Sequence, residues 1–124
     1  MASYNKVILM GNLTRDPKCG FIDDETAVAN FGLAVNKKYT SRGEQKESVM
    51  FVDVEVWRRL AETCAEYLDK GSPVLIDGEL KLDRWENNKG ENRSKLKVRA
   101  YNVQFLPNPK RQSDDGALPE EEML

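Results

Sequence analysis

Histidine is absent from the chain, and cysteine occurs only twice, at Cys19 and Cys64. Without an imidazole the commonest general base near neutral pH is missing, and with it the Ser-His and Cys-His nucleophile arrangements. Two isolated cysteines form no disulfide framework and cannot complete the usual zinc sets, so both read as free thiols, with Cys64 expected to be buried. No GxxxxGK[ST] loop, no GxGxxG after a strand and no HExxH helix occurs, which leaves carboxylates as the sole catalytic groups to consider. Long apolar runs are also lacking: none approaches the roughly 18 residues that span a bilayer, and residues 1–6 have no charged-then-apolar opening of a signal peptide. The expectation is a soluble intracellular protein that is not an enzyme, uses no cofactor and touches no membrane.

What is present suits one small domain. The 124 residues, 40% of them hydrophobic, suffice for a single core. The net charge of −2 hides an asymmetry: 19 Lys and Arg stand against 16 acids up to Arg111, and five acids with no cation follow. A body of about +3 joined to an acidic tail fits a nucleic-acid surface with an interaction segment.

Five strands and one helix follow from periodicity. Residues 6–14, KVILMGNLT, read as a buried strand through Gly11, and Asp16-Pro17 reads as a turn. Residues 27–38 alternate through Ala27, Ala29, Phe31, Leu33 and Val35, with Gly32 as a bulge or bend, and residues 39–47 read as a hairpin loop around Gly43. In residues 48–57 Met50, Val52, Val54 and Val56 share one face, and Phe51, Asp53, Glu55 and Trp57 the other. The period changes over residues 58–70, where Leu60, Cys64, Tyr67 and Leu68 fall on one helical stripe that stops at Lys70-Gly71. Residues 73–85 alternate again, with Val74, Ile76, Gly78, Leu80 and Leu82 opposite Asp77, Glu79, Lys81, Asp83 and Trp85. A loop at residues 86–92 leads to a strand at 93–106 that carries Arg93, Lys95, Lys97, Arg99 and Tyr101 on one side. Phe31, Tyr67 and Phe105 read as core or packing residues.

Three strands, a helix and two strands make an all-β plan: a five-stranded OB-fold barrel with one helix between strands 3 and 4, a fold whose central strands and loops bind oligonucleotides and oligosaccharides. A small mixed α+β sheet is the runner-up. Residues 1–106 form the expected domain, and residues 107–124, with three prolines and few apolar positions, form an expected disordered acidic tail.

A binder of single strands needs flat aromatic faces for unpaired bases and a cationic path for phosphates. Tyr39, Phe51, Trp57 and Trp85 are the aromatic candidates; Lys37, Lys38, Arg42, Arg84, Lys89, Arg93, Lys95 and Lys97 are the cationic ones. The competing reading is that these rings close the barrel ends or bury in an oligomer interface. Asp53, Glu55, Asp77, Glu79 and Asp83 need neutralising on faces that meet phosphate. In such a barrel strand five pairs with strand three, which sets Lys95, Lys97 and Arg99 across from Asp53 and Glu55. Two other classes stay open: a protein-interaction adaptor with an OB fold and weakened DNA binding, and a carbohydrate-acting enzyme using a carboxylate pair.

Asn5-Lys6-Val7-Ile8-Leu9-Met10-Gly11-Asn12-Leu13, then Asp16-Pro17 and Ala27-Val28-Ala29-Asn30-Phe31, resembles the opening of the bacterial single-stranded DNA-binding protein family. Leu60-Ala61-Glu62 with Glu66-Tyr67-Leu68-Asp69-Lys70-Gly71-Ser72 resembles the family's helix, and Val74-Leu75-Ile76-Asp77-Gly78-Glu79-Leu80 with Trp85 its fourth strand. The resemblance covers about residues 3–106. It implies a cytoplasmic, nucleoid-associated homotetramer that binds single-stranded DNA in replication, recombination and repair, with base stacking at Tyr39, Phe51, Trp57 and Trp85. It also implies that the tail, through Asp114, Asp115, Glu120, Glu121, Glu122, Met123 and Leu124, meets replication and repair proteins. The sequence departs from the family pattern in three places: acids at Asp53 and Glu55, Val52 where histidine is frequent, and a Glu-Glu-Glu-Met-Leu end in place of a Pro-Phe tip.

Overall fold

A computed structural model describes residues 1–107. The strands are β1 (Val7–Leu13), β2 (Lys18–Phe21), β3 (Ala27–Ser41), β4 (Glu44–Trp57), β5 (Pro73–Glu86) and β6 (Asn92–Phe105), and the helix α1 (Arg58–Tyr67) lies between β4 and β5. The sheet order is β1-β5-β6-β4-β3-β2, and a further β1–β3 pairing, Asn12↔Ala34 and Leu13↔Leu33, closes five of the strands into a barrel. All neighbours are antiparallel except β4 and β6, which run parallel through Val54↔Val98 and Glu55↔Arg99. The expected OB barrel is therefore the fold, with its helix in the expected place.

β2 is the element that periodicity did not predict. Four residues, Lys-Cys-Gly-Phe, are too short to show alternation, and all four are exposed. They pair as an edge strand with Lys18↔Asn30 through Phe21↔Ala27. The backbone of β3, not a hydrophobic face of its own, holds this strand in place.

The interior forms where alternation placed it on three strands. Ala29, Phe31 and Leu33 from β3, Val54 and Val56 from β4, and Val74 and Ile76 from β5 are fully buried, with Val98 and Ala100 from β6 beside them. Ala61 and Cys64 supply the helix's contribution, and Leu68 joins them just past its end. Burial pushes the Cys64 thiol up to about 12, whereas Cys19 is exposed.

Several expectations fail for one reason: the strands outrun the barrel. β3 and β4 pair all the way to Ser41↔Glu44, so the long loop expected at residues 39–47 is a two-residue turn, with Arg42 and Gly43 both at positive φ (53° and 79°). Leu80 and Leu82 follow the pattern of Val74 and Ile76 yet are exposed, as is Leu96, which pairs with Leu82. Met50 is exposed likewise, and Ile8 and Met10 make an outward row on β1, which is buried on one side only.

The helix stops at Tyr67 rather than Lys70. Leu68 leaves the helical region while its N–H still reaches the Cys64 carbonyl at 2.9 Å. Asp69 and the buried Ser72 then bond to each other and redirect the chain into β5. Tyr67 and Phe105 are not core residues: both are exposed and rest on each other with ring centroids 6.4 Å apart.

Candidate nucleic-acid interface

Register decides which side chains share a surface. Opposed residues in a ladder point to the same face, so Ala34↔Phe51, Gly32↔Asp53, Asn30↔Glu55 and Val28↔Trp57 define the outer face of β3 and β4. Glu79↔Arg99, Lys81↔Lys97, Asp83↔Lys95 and Trp85↔Arg93 define the outer face of β5 and β6. The β4–β6 pairing joins the two halves into one continuous surface. Phe51, Trp57 and Trp85 thus lie on the same side of the sheet, along with Arg93, Lys95 and Lys97. Tyr39 does not join them: it opposes Lys46 on the other face of the β3–β4 hairpin, beside Lys37↔Ser48.

The rings differ in availability. Phe51 is 68% exposed, Trp85 48% and Tyr39 43%, and a flat ring left in solvent calls for a reason. Trp57 is half-buried and engaged at both edge and face. Its Nε1–H donates to Glu55 Oε2 at 2.7 Å, and the Arg99 guanidinium lies over its ring at 4.6 Å, with Lys81 at 5.8 Å. Trp57 is therefore a locked ring in this structure, and Phe51 and Trp85 are open ones.

Between the rings runs a network of paired charge. Glu55, only 5% exposed, accepts from Lys97 at 2.7 Å and from Lys81 at 3.2 Å, besides Trp57. Lys97 also reaches Asp83 at 2.6 Å, and Asp53 holds both Lys95 and Arg15, the latter at 3.4 Å. Arg93 pairs with Glu91 at 3.6 Å, and the Tyr101 hydroxyl donates to Glu79. The expected opposition of Lys95 and Lys97 with Asp53 and Glu55 is realised, one register step along the strands.

Titration follows from these contacts. Burial pushes the Glu55 carboxyl up, but the bonds from Lys97, Trp57 and Lys81 and the Lys97 charge prevail, taking it from 4.5 to about 2. The Lys95 bond, above all, lowers Asp53. Burial lowers the Lys97 ammonium, but its bonds and charge pairing with Asp83 and Glu55 raise it on balance. A sugar-cleaving acid needs a carboxyl with a raised pKa, so the shift on Glu55 runs against the carbohydrate-enzyme reading. Among the described residues no cluster of carboxylate and thiol ligands could hold a metal ion, and no helix is long and apolar enough to cross a membrane.

The remaining cations stand at hairpin tips. Lys37, Lys38 and Arg42, with Lys46, surround the β3–β4 turn, all exposed and in no ion pair among the described residues. Arg84 and Lys89 lie at the β5–β6 end, where Asn87 orders the loop by accepting from the Lys89 and Glu91 N–H groups. Trp85, Arg84, Arg93 and Leu82 line an open cleft there with Asn92 and Ser94.

Three residues of this surface had not been proposed as site residues. Alternation had already turned Lys81 and Arg99 outward. Arg15 has no local signal, because the loop after β1 folds it back across Gly32 to Asp53, close enough that a Cβ at Gly32 would strike it. The tail residues Asp114, Asp115, Glu120, Glu121, Glu122, Met123 and Leu124 lie outside the described residues.

A closed five-stranded barrel with a capping helix, and with aromatic and charged side chains on its outer sheet, defines an oligonucleotide- or oligosaccharide-binding barrel. Comparison with known proteins narrows the class. The chain belongs to the Single-strand binding protein family, whose profile matches residues 4–106. It is 44% identical over 104 residues to the single-stranded DNA-binding protein of Wolinella succinogenes, covering 83% of this chain and 64% of that one. With the single-stranded DNA-binding protein of Treponema pallidum it shares 40% over 106 residues, 86% of this chain and 60% of the relative. The matched region thus spans less than two thirds of these relatives' length. The solved structure of a Plasmodium falciparum SSB complex with ssDNA superposes with a TM-score of 0.79 at 24% identity, covering 86% of this chain and 98% of that one, and supports the fold.

Proposed function

We propose that the chain binds single-stranded DNA, largely without regard to sequence, and protects it during replication, recombination and repair. The observation that carries this reading is the pair of open rings, Phe51 and Trp85, on one outer sheet face flanked by unpaired cationic hairpin tips. Unpaired bases have π-faces whatever their identity, so rings of this kind give affinity without base readout. The names of the bacterial relatives support the same reading. Binding needs no chemistry from the protein, and Asp53, Glu55 and Asp83 on the face are each committed to a cation.

The working form in this proposal is a cytoplasmic, nucleoid-associated homotetramer. The exposed apolar rows Ile8 with Met10 and Leu80, Leu82 with Leu96 support assembly, because apolar surface of this kind on two elements favours burial against another copy. Residues 1–106 act as the DNA-binding domain, and the acids of residues 107–124, with Met123 and Leu124, recruit replication and repair proteins.

Titration with an unstructured oligonucleotide at low salt, followed by tryptophan fluorescence, tests the function. Trp57 and Trp85 are the only tryptophans, and quenching that weakens as salt rises is expected, since phosphate binding releases counterions. An unchanged signal would rule out stacking on these rings and favour the protein-interaction adaptor.

A further inference from the structure

Strand β6 carries the densest row of cations in the chain, and every one of them is already occupied. Arg93 meets Glu91, Lys95 meets Asp53, Lys97 lies between Glu55 and Asp83, and Arg99 covers the Trp57 ring. Apart from Glu91, in the loop before β6, the acids come from both neighbouring strands, β4 and β5, so the row is held from two sides. Glu55 is the centre of this arrangement, since it is nearly buried and receives three donors on one carboxylate. A phosphate that captured Lys97 would leave Glu55 buried and short of a partner, which is costly. No comparable tether holds Lys37, Lys38, Arg42 or Lys46.

Resting on the single-strand reading above, we propose that Glu55 is a positioning residue that withholds Lys97 and Lys81 from phosphate, as Asp53 withholds Lys95. The nucleic-acid backbone is then carried by the β3–β4 hairpin cations, and the β4–β6 face is left to bases. Lys95 and Lys97, which a sequence reading places among the phosphate contacts, become parts of the platform. Glu55 also sets the edge of Trp57 through Nε1, so one carboxylate fixes both the charge and the ring orientation of the face. Its titration range, well below that of an ordinary carboxyl, keeps it ionised in all ordinary buffers.

The test measures the slope of log affinity against log salt for the full chain and a thymidine oligonucleotide, read by tryptophan quenching. Each phosphate contact on a single strand contributes about 0.7 to that slope. Glu55→Gln keeps an oxygen for Trp57 and removes the charge that holds Lys81 and Lys97, leaving the two lysines to share Asp83, and it is expected to raise low-salt affinity several-fold and steepen the slope by about 0.7. Lys38→Gln is expected to flatten the slope by about 0.7, and Lys97→Met by much less. An unchanged slope in a folded Glu55→Gln chain overturns the inference. If that variant does not fold, equal flattening by Lys97→Met and Lys38→Gln overturns it. An unsubstituted chain that fails to bind the oligonucleotide overturns the single-strand reading itself, so the two failures are distinct.

Discussion

At the residue scale, Glu55 joins stability to the site. Its folded-state pKa lies below the unfolded value, so its contribution is complete above pH about 4.5 and is lost as pH falls toward about 2. A shift of this size corresponds to on the order of 3 kcal/mol, and Asp53 acts in the same direction. Thermal melts between pH 7 and pH 2.5 should show a steep acid loss, flattened in Glu55→Gln. Trp85 is the opposite kind of residue. It is half exposed, so Trp85→Ala should weaken oligonucleotide binding by about 1–3 kcal/mol while leaving the melting temperature within a few degrees. Equal loss of fold and binding would identify it as a packing residue. Alternation alone turned both side chains outward, because a strand's period is two. It could not show that Trp57 is locked or that Tyr39 faces away from Phe51, because both depend on which strands pair and in what register.

At the element scale, barrel closure and the β3–β4 turn rest on single positions. β1 approaches β3 so closely at Gly11 that a Cβ there would collide with the Ala34 carbonyl. Gly11→Ala should therefore destabilise the chain by about 1–3 kcal/mol or more, read as a lower urea midpoint with the helix signal lost in the same transition. The turn places Arg42 in the left-handed region, which is unfavourable for a long side chain and readily adopted by asparagine. Arg42→Asn should raise the melting temperature slightly and weaken DNA binding, since it relieves the backbone and removes a cation. Opposite signs in the two measurements are the signature. Strand identity was readable from periodicity in five of six cases. β2 was not, because it has no buried face, and hairpin lengths were not, because polar residues such as Lys46 and Glu47 pair through backbone as well as apolar ones do.

At the scale of the whole molecule, exposed apolar rows and an internally neutralised face describe a barrel with further contacts to make. Light scattering should give a mass near four times the 14.1 kDa of the chain, falling in an Ile8→Asp, Met10→Asp variant; a monomeric mass in the unsubstituted chain would refute the tetramer. The sequence by itself determined the order of five strands and the helix, the core positions of β3, β4 and β5 that lie within the barrel, and the outward aromatics, since hydrophobic burial imposes a period that residue types reveal locally. Only the tertiary structure decided which charges are free. Lys95 and Lys97 look as available in sequence as Lys37 and Lys38. Their difference arises because β4 and β5, distant along the chain, bring Asp53, Glu55 and Asp83 alongside β6, and Coulomb attraction acts on distance in space rather than separation in sequence.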